Sequence, residues 1–280
     1  MNKCANLCII LLSLFLFSFT DGTRKKTDWE KDELKGRVKS VHTFYYEKSD
    51  EKTLAINPLT LSKNDTTKHF ISDYDVNGNI TSYKTNTDLV LLVSNYDSTA
   101  NVIISAKYNF NDKLVYEDTT MLDNNGNRIE QITKGYEPSP YNFRASYNVD
   151  AKGNELEMDA YSNQKFLYKW VYKYDEKGNR IEDVQFYLLD SFLQKLVYQY
   201  DENRNMTEMA LFKDSLIERT TFKYNKQGSI IEEAKYGPDD KLIETRSYKY
   251  DYDDKGNWIR KINLNKKQQP AVTIRVIEYY

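Results

Sequence analysis

Cysteine is almost absent from this chain of 280 residues: both copies, Cys4 and Cys8, lie in an apolar segment at the N-terminus. A mature chain without that segment has no thiol, which excludes a disulfide, a cysteine metal site and a cysteine nucleophile. The two histidines, His42 and His69, lie near no serine or acidic pattern typical of a catalytic triad. The nucleophile-elbow, phosphate-loop and zinc-protease motifs are also missing. We therefore predict a protein that is not an enzyme and uses no metal or cofactor.

Neither sign of charge is in large excess, and glycine and proline are scarce. The 40 lysines and arginines nearly balance the 42 acidic residues, for a net charge of −2. Because binding to phosphate backbones requires a basic surface, this balance predicts no nucleic-acid partner. The chain has 10 glycines and 5 prolines but 24 tyrosines. This composition favours β-strands, since a tyrosine ring packs on a pleated sheet while its hydroxyl reaches water.

The N-terminus has the layout of a secretory signal peptide. A positively charged start is followed by an apolar run over residues 4–20 and then by the basic residues 24–26. We predict a signal peptide over residues 1–22, with an uncleaved anchor as the alternative, because the run reaches the lower length limit of a spanning helix. Residues 23–34 are expected to form a polar linker. The protein is expected outside the cytoplasm, in the periplasm, at the cell surface or secreted.

One phrase recurs along the rest of the chain: two aromatic residues one position apart, an acidic residue, then Gly-Asn and an apolar run. A clear copy contains Tyr172, Tyr174, Asp175 and Gly178. The glycines of the good copies are Gly78, Gly126, Gly153, Gly178, Gly228 and Gly256. With Ala100 and Arg204 as turn positions of weaker copies, the spacing is 22 to 28 residues. A period of this kind predicts one supersecondary unit repeated many times.

The phrase predicts a hairpin turn. An aspartate at its start can accept hydrogen bonds from backbone N–H groups, and glycine three positions later adopts a positive φ without steric cost. Two copies lack the glycine, and we expect an asparagine to take the left-handed conformation there, because asparagine tolerates it. The candidates are Asn203 or Asn205 in the Arg204 copy and Asn101 in the Ala100 copy. The residues assigned to the structural repeat are Tyr174, Asp175, Gly178, Tyr200, Tyr224, Gly228 and Gly256.

Each unit has room for two strands, which predicts an all-β fold of about 15 to 18 strands. We expect a long antiparallel meander of repeated β-hairpins over residues 35–280, twisted and curled into a spiral or a partly closed single sheet. The irregular stretch at residues 50–68 is expected to be an insertion loop. Residues 271–280 have no turn phrase after them and are expected to form a closing strand.

The phrase Tyr-x-Tyr-Asp-x-x-Gly-Asn resembles the tyrosine–aspartate (YD) repeat of the Rhs family of bacterial surface proteins and toxins. The resemblance covers about residues 34–280 and is strongest over residues 147–259. It implies hairpins in a spiralling sheet, an extracytoplasmic location and repeats that are not catalytic. A toxin domain is not implied, because the chain stops on a repeat strand.

Other residues suggest binding chemistry but fit structural roles better. Asp73, Asp75 and Asn77 match the first half of an EF-hand loop, yet the position expected for its glutamate is Lys84, so a hairpin turn is favoured over a calcium site. Aromatic residues on a sheet suggest glycan binding, with Trp258 and Tyr279 as candidates. The competing interpretation is that the aromatic columns pack adjacent hairpins together.

A transmembrane barrel is predicted to be excluded, because four charged residues are expected on the same face as the aromatic residues. They are Glu182, Glu208, Glu232 and Arg260. Together, these patterns predict an exported, non-enzymatic structural or binding module of the cell envelope. Its partner is unidentified, with a surface glycan or an envelope protein as the expected classes. A carbohydrate-binding protein that uses exposed aromatics is the main alternative, and an enzyme is a further one.

Overall fold

The computed structural model describes residues 27–46, 68–85, 91–97, 99–109, 111–187, 191–264 and 271–280. The predicted signal peptide at residues 1–22 lies outside the described residues. So does the predicted insertion loop, apart from Lys68, which begins a strand. None of the helices in the described ranges is long and apolar enough to cross a membrane.

The described chain is one helical turn followed by strands. The elements are α1 (Asp28–Lys31), β1 (Val38–Tyr46), β2 (Lys68–Tyr74), β3 (Ile80–Thr85), β4 (Leu91–Asp97), β5 (Val102–Tyr108), β6 (Leu114–Leu122), β7 (Arg128–Gly135), β8 (Tyr141–Val149), β9 (Glu155–Ser162), β10 (Lys165–Tyr174), β11 (Arg180–Tyr187), β12 (Ser191–Tyr200), β13 (Met206–Phe212), β14 (Leu216–Tyr224), β15 (Ile230–Tyr236), β16 (Leu242–Tyr252), β17 (Trp258–Asn263) and β18 (Ala271–Tyr279).

The strands form a closed barrel. Each strand pairs antiparallel with the strands before and after it in the chain, and β18 also pairs with β1, with Val41 opposite Ile277. The all-β meander of hairpins and the closing strand at residues 271–280 are therefore confirmed. The predicted spiral or partly closed sheet is wrong. Closure gives the backbone groups of β1 and β18 hydrogen-bond partners that the edges of an open sheet would lack.

Side chain to backbone bonds shape the turns of the repeated phrase. Asp175 accepts hydrogen bonds from the backbone N–H of Asn179 at 2.8 Å and from its side-chain amide at 2.8 Å. The backbone of Gly178 has a φ of 82°. The same bonds recur from Asp75 to Asp253, so each turn fixes the register of its own hairpin.

The copies without glycine reach the left-handed conformation in two ways. Asn101 has a φ of 52°, as expected. In the other copy the prediction of Asn203 or Asn205 is wrong, because Arg204 itself has a φ of 67°. The side chain of Asn205 is bound to Asp201 at 2.9 Å. Since the asparagines of four Gly-Asn pairs make the same bond, the left-handed position falls on the residue before it.

Residues 27–34, which we call the N-terminal segment, dock on the barrel. Thr27 and Glu30 form a capping box around α1, within the stretch predicted as a polar linker. The backbone N–H of Trp29 donates to the carbonyl of Gly78 at 3.1 Å. Trp29 also packs against a buried cluster formed by Leu34, Val38, Val41 and Tyr74. These contacts attach the segment to β1 and β2.

The two faces of the sheet differ in composition, and the strand register assigns each side chain to one of them. Tyr172 lies opposite Asp183, which lies opposite Leu196 on the next strand. Lys173 lies opposite Glu182 on the other face and forms an ion pair with it at 2.6 Å. One face therefore combines aromatic and buried polar side chains. The other has rows of lysine and glutamate pairs together with Phe186, Phe212 and Tyr236.

We infer that the face that contains Tyr172 and Asp183 is the inner one. Glu33 lies close enough to Tyr224, Tyr250, Lys261 and Arg275 to affect the pKa of each. These four residues belong to the four strands β14, β16, β17 and β18. Because side chains converge on the concave side of a curved sheet and diverge on the convex side, one carboxylate reaches all four only from the interior. We call this inner side the luminal face.

The prediction that excluded a transmembrane barrel is contradicted by the closed 18-strand barrel. Its premise fails for the aromatics of the incoming strands, such as Tyr172, although Glu182 does share a face with Phe186. The register places Glu182 opposite Lys173, outside the luminal face. The same holds for Glu208, Glu232 and Arg260. A register shift after each turn sets two residues against one, as at Lys173/Tyr174, and this reverses the expected alternation.

The barrel has two distinct ends. The repeated turns lie at one end, where the even-numbered strands finish, and we call it the repeat end. The other connections lie at the opposite end, which we call the hairpin end. Side chains fill the interior of small barrels, whereas barrels of 16 to 18 strands can leave an aqueous channel. On the luminal face of this barrel, Met158, Asp183 and Tyr198 are buried, at 1–3% exposed.

The docking of Trp29 predicts that two matched glycine substitutions lower the free energy of unfolding by different amounts. Gly78 and Gly228 both have a φ of 86°. An added Cβ at Gly78 would lie 2.6 Å from the Trp29 ring, whereas one at Gly228 would meet nothing within 4 Å. We expect Gly228→Ala to lower the free energy of unfolding by about 1–2 kcal/mol through backbone strain, and Gly78→Ala to lower it further. Urea unfolding measures both, and equal losses would contradict the docking.

Candidate functional site

The luminal face holds cations stacked on aromatic rings. The guanidinium of Arg180 lies 3.6 Å from the ring centroid of Tyr172. Arg128 lies 4.0 Å from that of Tyr147. In the repeated phrase both arginines directly follow Gly-Asn, so the turn places them at the start of an outgoing strand beside the tyrosines of the incoming one. Cation–π contacts of this kind are strengthened where water is excluded.

A buried network surrounds Asp183, whose residue surface is 2% exposed. Its carboxylate forms an ion pair with Arg180 and accepts a hydrogen bond from the Tyr198 hydroxyl at 2.7 Å. Burial raises the pKa of Asp183 above its usual range, while Arg180 and Tyr198 act in the opposite direction. Arg128 and Glu155 form a second luminal ion pair at 2.7 Å. In both cases a cation is matched by a carboxylate that holds it in place.

Four tyrosines near the ends of incoming strands join neighbouring strands at the repeat end. Each hydroxyl donates to a backbone carbonyl near the start of the preceding strand, at 2.8–2.9 Å. The pairs are Tyr174 with Glu155, Tyr200 with Arg180, Tyr224 with Met206 and Tyr250 with Ile230. Burial raises the pKa of Tyr224 to about 12, so the hydroxyl stays protonated as a donor. These tyrosines therefore have a structural role in the barrel wall.

The hydrogen bonds of these tyrosines predict a moderate loss of stability when one hydroxyl is removed. Tyr200→Phe should lower the free energy of unfolding by about 0.5–1.5 kcal/mol, because the carbonyl of Arg180 loses a buried donor. Tyr187→Phe is the control, since Tyr187 is exposed at the hairpin end. Chemical denaturation of the two variants measures the difference. A loss for Tyr200→Phe no larger than for the control would show that the bond contributes nothing.

A second group of luminal cations lies on β17 and β18. The guanidinium of Arg275 stacks on Trp258 at 3.6 Å, and the ammonium of Lys261 lies 4.2 Å from the ring centroid of Tyr248. Burial lowers the pKa of both Lys261 and Arg275. Glu233 and Glu33 oppose this shift at Lys261, and Asp32 and Glu33 oppose it at Arg275. Among the described residues, neither cation forms an ion pair within 4.0 Å. This pair differs in that respect from Arg128 and Arg180.

The structure places the two predicted glycan contacts, Trp258 and Tyr279, in different settings. Trp258 is covered on one face by Arg275 and meets the edge of Tyr250 at 6.2 Å. Tyr279 lies at the repeat end, where its hydroxyl donates to Asp253 and the ammonium of Lys255 lies 3.3 Å from its ring centroid. Each ring therefore has a cation over one of its faces. Their role in ligand binding stays a prediction.

A group of exposed aromatic residues lies at the hairpin end, whereas Tyr96 and Tyr280 are exposed at the repeat end. Tyr136, Tyr141, Tyr187 and Phe192 are 38–44% exposed. They flank the connections after β7 and β11, away from the repeated phrase. Sequence reasoning missed them because it took the phrase as the reference. The only available signal was their position beside the turns in the middle of each unit.

The residues that match half an EF-hand loop serve the first described turn. Asp75 accepts hydrogen bonds from the backbone N–H groups of Asn77 and Asn79 at 2.8 and 2.9 Å. Asp73 accepts one from Ser82 on the paired strand. Within the described ranges, no group of three or more histidine, cysteine or acidic residues is arranged to hold a metal ion. Both carboxylates accept hydrogen bonds within the hairpin.

Comparison with known proteins gives weak structural similarities. No protein-family model and no curated protein matches the chain. A porin-like protein from Bacteroides uniformis ATCC 8492 is 9% identical, with a TM-score of 0.45, and the match covers 86% of this chain and 96% of that one. A porin-like protein from Bacteroides vulgatus ATCC 8482 is 13% identical, with a TM-score of 0.41, over 87% and 98%.

A chain of the Photorhabdus luminescens Tc holotoxin pore is also similar. It is 12% identical, with a TM-score of 0.30, and the match covers 75% of this chain and 16% of that one. At these identities and TM-scores the similarities assign no family. The YD-repeat resemblance therefore stays a prediction, and the function has to be argued from the barrel itself.

Proposed function

We propose that the protein is an exported, non-enzymatic binding module of the cell envelope that holds a small polar ligand inside its barrel. The observation that carries this proposal is the luminal face, where cations lie 3.6–4.2 Å from aromatic ring centroids in a closed 18-strand barrel. Aromatic faces and fixed polar groups around a concave space are typical of ligand sites. The apolar N-terminal run supports export.

The state of the luminal acids favours binding over catalysis. A general acid or base needs a proton that it can exchange with a substrate. Asp183 is held by Arg180 and Tyr198, and Glu155 is held by Arg128. Bonds of this kind fix the wall of a binding chamber. Both carboxylates already have partners within the protein.

A thermal-shift screen of the purified protein against neutral sugars, amino acids and organic acids tests the proposal. A bound ligand should raise the melting temperature, because it binds the folded state alone. Thr273→Trp places a bulky ring on the luminal face opposite Lys261, whereas Thr245→Trp, opposite Ala234, places one on the outer face. We expect the shift to disappear in Thr273→Trp and to persist in Thr245→Trp. A screen without any shift, or the reverse pattern, would count against a luminal site.

Carbohydrate binding at the hairpin end is the second candidate. The observation that favours it is the set of exposed aromatic rings there, since flat rings stack on sugars. Retention on a glycan array should then fall in Tyr187→Ser and Phe192→Ser and stay unchanged in Thr273→Trp. Equal retention of all three variants would remove this candidate.

A further inference from the structure

The luminal cations of the barrel fall into two classes. Arg128 and Arg180 each have a carboxylate partner, Glu155 and Asp183. Lys261 and Arg275 have none within 4.0 Å among the described residues. They lie on the paired strands β17 and β18, where Lys261 faces Thr273, two positions before Arg275. One region of the luminal face is therefore rich in cations that lack partners.

Arg275 in particular has donors without acceptors. Its Nε and Nη1 atoms are buried and have no hydrogen-bond partner among the described residues. These atoms lie on different edges of the guanidinium, and the plane of the group is packed on Trp258. A buried donor on a charged group normally has a partner, because leaving it without one costs as much as a lost hydrogen bond. Its orientation on the tryptophan ring is preorganised for an acceptor that enters from the lumen.

The carboxylates of the N-terminal segment do not fill this role. Asp32 accepts a hydrogen bond from the Tyr74 hydroxyl at 2.6 Å, so its position is set by β2. Asp32 and Glu33 influence Arg275 by electrostatic attraction, without a hydrogen bond to it. They reduce the repulsion between Lys261 and Arg275 but leave the buried Nε and Nη1 of Arg275 without an acceptor among the described residues.

We propose that Lys261 and Arg275 form a luminal site for the oxyanion group of a ligand, a carboxylate or a phosphate. This inference deepens the proposed function, on which it rests, by naming the class of ligand. A guanidinium with unpaired donors gives directional hydrogen bonds to an oxyanion, and an ammonium adds a point charge beside it. The rings of Trp258 and Tyr248 hold the two cations and limit their access to water. A sugar acid or a phosphorylated small molecule has the required group.

Calorimetric titration of the full-length protein tests the site. Glucuronate and inorganic phosphate are the probes, and glucose is the neutral control. Lys261→Gln and Arg275→Gln should each weaken the binding of an oxyanion probe by roughly ten- to a hundredfold, which corresponds to the loss of a charge-assisted hydrogen bond. Lys249→Gln is the matched control, since Lys249 is exposed on the outer face of β16 and lies opposite Ile262.

Lys261→Arg keeps the charge and should bind like the natural protein, which separates lost charge from lost folding. Binding of glucuronate but not phosphate identifies a carboxylate site, and the reverse identifies a phosphate site. Unchanged affinity in Lys261→Gln and Arg275→Gln would overturn the inference. If neither oxyanion binds while neutral compounds still raise the melting temperature, this inference fails and the luminal binding function stands. If no compound of either kind binds, both fail.

Discussion

Asp183→Ala should lower the free energy of unfolding by about 3–5 kcal/mol. Removal of this carboxylate leaves the guanidinium of Arg180 in the barrel wall without its ion pair and takes the acceptor from the Tyr198 hydroxyl. A buried charge without a partner costs far more than the net contribution of the pair. Urea unfolding followed by circular dichroism measures the change.

The neighbouring residue provides the control for this prediction. Glu182 lies on the outer face and pairs with Lys173, whose side chain is 65% exposed. Glu182→Ala should therefore cost less than about 1 kcal/mol. The double variant Arg180→Met/Asp183→Leu should recover most of the lost stability, because it removes both charges and fills their space. If Asp183→Ala costs no more than Glu182→Ala, the buried network is not what holds this part of the wall.

Met158→Ala is expected to have the second large effect and to lower the free energy of unfolding by about 2–5 kcal/mol. Met158 is 1% exposed and packs in a buried cluster with Ala145, Tyr147 and Tyr172 on β8 to β10. Truncation removes its apolar contacts and leaves a cavity that these three residues cannot fill without moving. Because a well-packed cluster relaxes only partly, the cavity adds to the loss of hydrophobic burial.

Leu242→Ala is the matched control for the packing prediction, since Leu242 is 58% exposed at the hairpin end. It should change the free energy of unfolding by no more than about 0.5 kcal/mol. Both variants are compared in the same urea titration. A small change for Met158→Ala would mean that the three strands do not pack as tightly as the burial of this side chain indicates.

Local sequence patterns were sufficient to predict the hairpins. An aspartate that binds the backbone of its own turn and a glycine with positive φ act within five residues, as Asp175 and Gly178 do. The side of the sheet on which a residue lies was harder to predict. The register shift at Tyr174 and Arg180 adds one residue to the outgoing strand, so counting alternate positions through the turn placed Glu182 on the wrong face.

Closure depends on residues far apart in the chain. β1 and β18 pair over eight residue pairs, and nothing in either strand alone specifies the other. The luminal site depends on closure in turn. Glu33 interacts electrostatically with Lys261 and Arg275 only because the N-terminal segment and the last two strands share one interior. The repeated phrase contains none of these three residues, which is why the sequence directed attention to Trp258 and Tyr279.

Disulfide formation between β1 and β18 tests the closed barrel most directly. His42 lies opposite Val276 in this pairing, within the range that a disulfide spans. In a chain with Cys4→Ser and Cys8→Ser, His42→Cys/Val276→Cys should form a disulfide within single molecules on mild oxidation. His42→Cys/Val171→Cys should form none, because β1 and β10 lie on opposite sides of the ring. Two reactive but unlinked thiols in the first variant, in folded protein, would contradict the closed barrel.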